Sequence, residues 1–78
     1  MHKSGEVASC IEQALDKFLQ DLDGELPSGV YDMVLGCVER PLIIRILQYA
    51  EGNQTRAAEY LGINRNTLRK KMAQYNIQ

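Results

Sequence analysis

The sequence predicts an all-α fold: four helices, the last two a helix-turn-helix, carried on a homodimer with a long, proline-kinked second helix. Three observations predict it. Apolar residues recur at helical spacing; asparagine and glycine punctuate the C-terminal third at helix-turn-helix intervals; and one long stretch is apolar on nearly every side in a chain of only 78 residues.

That length, with 24% charged and 45% apolar residues, allows one small globular domain over residues 1–78 and not two. A domain this short buries proportionally little surface and usually needs a disulfide, a metal or a partner chain. Cys10 and Cys37 form no CxxC, and His2 is the only histidine. The chain therefore offers neither zinc-finger spacing nor a Ser/His/Asp or Cys/His set for nucleophilic catalysis. No enzyme, metal or cofactor is expected, and association with a second copy is left to complete the core. The first residues, Met-His-Lys-Ser-Gly-Glu, lack an apolar signal region, and Arg40 and Arg45 interrupt the strongest apolar run short of a membrane span. A cytoplasmic protein with two reduced cysteines and no membrane partner is the expectation.

The first helix is expected from Glu6 to Leu22, where Val7, Ile11, Ala14, Leu15, Phe18 and Leu22 form one stripe, with Ser4 as its cap and Gly24 after its last turn. Pro27, Ser28 and Gly29 break the chain and restart it. The second helix follows from about Ser28 to Ala50. Pro41 cannot donate to the carbonyl of Cys37, which predicts a kink and no stop, because the apolar pattern continues. Leu42, Ile43, Ile44, Ile46, Leu47 and Tyr49 leave only Arg45 and Gln48 to break an apolar ring. A helix apolar all round is buried all round, and one copy of this chain is too short to surround it. Residues 6–50 thus read as dimerisation helices. Cys10 and Cys37 fall on or beside their buried stripes and read as small core hydrophobes.

Gly52 then ends the long helix, Asn53 caps a third over Gln54–Leu61, Gly62 closes it, and Asn64 caps a fourth from Arg65 to about Tyr75. Residues 53–76 form the helix-turn-helix unit. Ala58 permits a close helix crossing, and Gly62 supplies the left-handed turn. Leu61, Ile63, Leu68 and Met72 form the apolar wedge, and Ile63 with Leu68 matches a hydrophobic staple.

Charge sorts along the chain. Residues 1–50 carry four cations against eight anions, whereas residues 51–78 carry Arg56, Arg65, Arg69, Lys70 and Lys71 against Glu51 and Glu59. An acidic body with a basic tip results, under a net charge of only −1. On a wheel of about 100° per residue, Leu68, Met72 and Tyr75 face inward, and the outer face is polar and basic. Such a face on the second helix suits a reader of the DNA major groove. Arg65 is placed to fork onto guanine, and Asn64 either caps the helix or also approaches base edges. Thr67, Arg69, Lys70 and Lys71 suit phosphates, with Arg69 a candidate second base reader. Asn53, Gln54, Thr55 and Arg56 cluster at the start of the third helix, where free N–H groups, a hydroxyl and a guanidinium make a phosphate clamp.

The run Gly52-Asn53-Gln54-Thr55-Arg56-Ala57-Ala58, then Leu61-Gly62-Ile63-Asn64-Arg65 and Thr67-Leu68-Arg69-Lys70-Lys71, resembles the Fis family, the factor for inversion stimulation. Upstream, Val30-Tyr31-Asp32-Met33-Val34-Leu35 and Val38-Glu39-Arg40-Pro41-Leu42 are similar to that family's long kinked helix. The resemblance covers residues 6–77. It implies an intertwined homodimer whose two recognition helices lie closer than one DNA turn, so that double-stranded DNA bends to meet both. It also implies a bacterial nucleoid-associated regulator of transcription that reads degenerate sites through DNA shape. Asn53, Thr55, Arg56, Asn64, Arg65, Thr67, Arg69 and Lys70 match the family's DNA-contacting positions. Only a few residues precede the first helix where better-known members carry a hairpin arm that touches site-specific recombinases, so no recombinase contact is expected. Ala73 and Gln74 stand where members commonly carry lysines, which implies either weaker binding or less wrapping of flanking DNA.

Two other readings compete. One is the C-terminal DNA-binding domain of an NtrC-type enhancer-binding activator; the absence of an ATPase before Met1 counts against it. The other is a helical dimerisation or adaptor module that binds no DNA, favoured by the overall acidity and opposed by the basic tip.

Overall fold

The computed structural model describes residues 3–78, with side chains from Gly5 onward, so His2 and any role for it lie outside the described residues. Four helices follow in order: α1 (Lys3–Asp21), α2 (Val30–Tyr49), α3 (Gln54–Leu61) and α4 (Arg65–Gln74). Among the described residues there is no strand, and no helix is long and apolar enough to cross a membrane.

The chain divides into two compact units, Met1–Val30 and Tyr31–Gln78. The first holds α1, which begins earlier than its apolar stripe suggests. Ser4 lies inside the helix and not ahead of it, so it is not the cap that the sequence pattern proposes. The helix gives way to a turn over Leu22–Gly24, where Asp23 (φ 53°) and Gly24 (φ 92°) both adopt the left-handed conformation.

The second unit joins α2 to the helix-turn-helix, a division that falls well before residue 50. Its reason is packing. Ile43 and Leu47 of α2 and Ala50 just past its end, at i, i+4 and i+7, share one buried cluster with Ala57 and Ala58 of α3 and Leu68 and Met72 of α4. Leu68 and Ala57 are fully enclosed at 0% exposure. Burying a leucine completely contributes about 1.5–3 kcal/mol, so Leu68 anchors α4. Ile46, Leu61, Ile63, Tyr75 and Ile77 pack around this cluster half-buried. As the apolar pattern requires, α2 continues past Pro41.

All three helices of this unit end in the same way. At the ends of α2, α3 and α4, Glu51, Gly62 and Asn76 take the left-handed conformation at 57°, 76° and 57°. The next residue then donates its N–H back to the carbonyl five residues earlier: Gly52 to Leu47, Ile63 to Ala58 and Ile77 to Met72, at 2.8–3.0 Å. These are Schellman closures, and in the last two the closing residue is an isoleucine that also joins the core. Gly62 is the one glycine at the turning position. At the end of α2 the turn falls on Glu51, one residue before the expected Gly52, because α2 stops at Tyr49.

Cys10 and Cys37 are free and exposed, which corrects their reading as core residues. They lie on helix surfaces that a single copy leaves open. Leu42 (46% exposed) and Tyr49 (73%) stand likewise open on the stretch of α2 read as apolar all round.

Candidate nucleic-acid interface

Both helices of the helix-turn-helix start from an asparagine in extended conformation. The Oδ1 of Asn53 accepts the Arg56 N–H at 3.0 Å, and the Oδ1 of Asn64 accepts the Asn66 N–H at 2.7 Å. Each cap satisfies one of the orphan donors of its first turn. The remaining donors, on Gln54 and Thr55 in α3 and on Arg65 and Thr67 in α4, have no helical acceptor and suit an anion. Capping therefore occupies only the oxygen of each asparagine side chain. Its amide NH2 has no partner among the described residues, so the cap and contact roles of Asn64 are compatible.

Asn53, Thr55, Arg56, Asn64, Arg65, Thr67, Arg69 and Lys70 are all exposed, and Gln54 is half-buried. Gln54, at the start of α3, lines one open cleft with Arg69, Met72 and Ala73 of α4, which sets the two helices' polar faces side by side. Among the described residues, Arg56, Arg65, Arg69 and Lys70 enter no salt bridge. Their charges find no acidic partner among the described residues.

Lys71 differs. Its Nζ lies 2.9 Å from Oε2 of Glu39 on α2, with both side chains largely shielded. The hydroxyl of Tyr75 donates to the other oxygen of the same carboxylate, and Arg40 Nε donates to the Tyr75 carbonyl at 3.3 Å. The Tyr75 hydrogen bond first, and the Lys71 ammonium second, hold the Glu39 carboxyl below the usual carboxylate range. The same bond to Glu39, with some burial, pushes the Tyr75 phenol up. Sequence reasoning places Lys71 among the phosphate ligands and singles out neither Glu39 nor the Tyr75 hydroxyl. A contact spanning 32 residues leaves no periodic signal in the sequence.

The family model for the bacterial regulatory proteins of the Fis family matches residues 35–75, more than half of the chain. The chain belongs to the Fis family. The match takes in α3, α4 and all of α2 beyond Val34. Similar proteins include a Ralstonia nicotianae protein named as Fis-like and DNA-binding, 55% identical over 71 residues that span 91% of this chain and 92% of the relative. A protein of the same name from Neisseria meningitidis serogroup A is 46% identical over 76 residues, 97% of this chain and 96% of its own. The DNA-binding protein Fis of Haemophilus influenzae is 51% identical over 67 residues, 86% of this chain and 68% of its own. The Fis-like runs over residues 52–71 thus fall on the two capped helices just described, and those over residues 30–42 on α2.

Proposed function

We propose that this Fis-family chain is a nucleoid-associated regulator of transcription that binds and bends double-stranded DNA as a homodimer. The observation that carries the reading is the pairing of two asparagine-capped helix starts with Arg56, Arg65, Arg69 and Lys70, cations that find no acid within the described chain. Arg65, in the first turn of α4, reads a base, and Asn64 offers its free amide beside it. Thr67, Arg69 and Lys70 hold phosphates, with Arg69 able to reach a second base. Asn53, Gln54, Thr55 and Arg56 clamp a phosphate at the start of α3. The names of the relatives, which describe DNA-binding proteins, support the same partner.

The dimer rests on the apolar surface that one copy leaves open: Val7 at 58%, Leu19 at 46% and Leu42 at 46% exposure. A second copy covering these residues completes a core that one small chain cannot. Two recognition helices closer together than one DNA turn impose a bend on any duplex that meets both, and the cost of bending selects sites by sequence-dependent deformability.

A salt titration tests the reading. About eight phosphate contacts per dimer give a log–log slope of affinity against salt near −7. A protein-binding adaptor gives no duplex binding to titrate.

A further inference from the structure

Lys70 and Lys71 are neighbours of equal charge at the same end of α4, yet the chain treats them differently. Lys70 is exposed; Lys71 is half-buried and, with Glu39, borders a crevice lined by Leu42, Ile43, Leu61 and Ile63. Both oxygens of Glu39 are occupied, one by Lys71 and one by Tyr75, residues four apart and so one turn apart along α4. Apolar contacts such as those of Leu68 and Met72 are non-directional and permit small rotations and slides, whereas charge-assisted hydrogen bonds are directional. Two such bonds from successive turns fix the rotation of α4 about its own axis relative to α2. Gly36 of α2 faces the Tyr75 ring, whose Cε1 stands an ordinary contact distance of 4.0 Å from where a Cβ on that glycine would lie. The Arg40 hydrogen bond to the Tyr75 carbonyl adds a third tie.

From this geometry we infer that Glu39 is a positioning residue for the recognition helix, holding Lys71 off the DNA and locking α4 to α2. The inference rests on the DNA-binding reading above and assigns the charges on α4 two separate tasks. Lys70 supplies grip, which is insensitive to sequence. The Glu39–Lys71–Tyr75 clasp supplies orientation, which decides whether Arg65 meets its base. Because α2 also carries the open apolar face of Leu42, the clasp ties the reading head to the helix through which two copies would join.

The experiment compares full-length wild type with K70Q, K71Q, E39Q and Y75F by fluorescence anisotropy across a salt series. One duplex is A/T-centred with G and C ends, and the other has the same composition scrambled. K70Q flattens the salt slope by about 1.8, because each of two copies gives up one phosphate ligand, whereas K71Q leaves it unchanged. E39Q releases Lys71, so the slope stays equal or steepens while the preference for the A/T-centred duplex falls about tenfold, the equivalent of one charge-assisted hydrogen bond. Y75F keeps the Glu39–Lys71 ion pair and lowers the preference less, at constant slope; it carries the test if E39Q fails to fold. A K71Q slope as flat as that of K70Q overturns the inference, as does an unchanged preference in both E39Q and Y75F. A wild type that binds neither duplex overturns the DNA-binding reading itself, and the inference with it.

Discussion

The C-terminal helices and α1 solve the problem of smallness in opposite ways. From Ile43 to Met72 the chain encloses its own core, with Leu68 and Ala57 at 0% exposure and three Schellman closures ending the helices. On α1 the stripe of Ile11, Leu15 and Phe18 is only half-buried, Val7 stands 58% exposed, and no described residue is fully buried. Every fully buried apolar side chain among the described residues lies in the other region. Self-sufficiency ends with the helix-turn-helix core, which is complete within one copy, whereas α1 carries an apolar stripe that is only half-buried.

The largest expected effect breaks the complete region. Leu68→Ala removes a fully enclosed side chain and should cost about 2–5 kcal/mol in urea unfolding. Leu26→Ala, at a residue 90% exposed, should stay within about 0.5 kcal/mol. If the two cost the same, the contrast between the regions is wrong. Next in size, Arg65→Ala should cost about 1–3 kcal/mol of binding and relax preference at one base position, read from a binding-site selection. Uniform weakening across all sequences would make Arg65 a phosphate ligand instead. Asn64→Ala should destabilise by about 1 kcal/mol through loss of the cap, seen as a lower Tm.

The pH dependence of stability carries the smallest effect. The carboxyl of Glu39 is held below its usual range, so its contribution to stability is present above the ordinary carboxylate pKa and is lost as pH falls through the depressed value. Tyr75 is raised, so its contribution holds below the ordinary phenol pKa and is lost as pH climbs through the raised one. Thermal unfolding should therefore show a plateau between those ranges, and E39Q should soften both shoulders. Identical profiles for E39Q and wild type would remove the clasp from the stability of α4.

The parts of this design that are legible in sequence are the local ones. Asn53, Asn64 and Gly62 act within four residues of their own position, so residue type alone announces the caps and the turn. Ala58 and Leu68 follow from helical spacing and are buried as expected. What escapes is non-local or chemically atypical. The ion pair between Glu39 and Lys71 joins two residues that only tertiary packing brings together, and it gives one of the five cations of residues 51–78 an acidic partner. Glu51 and Asn76 take left-handed turns usually given to glycine, and Ile77 closes α4 from beyond its expected end. Cys10 and Cys37 read as core because their stripes are apolar, and they are exposed because one copy does not cover those stripes.

The most direct test of the whole account is a gel-shift bending assay, in which an A/T-centred site with G and C half-site ends is moved along a duplex of constant length. A bending homodimer gives a single retarded complex whose mobility depends on the position of the site, lowest when the site is central. A complex whose mobility ignores position, or no shift even at low salt, would contradict a DNA-bending homodimer.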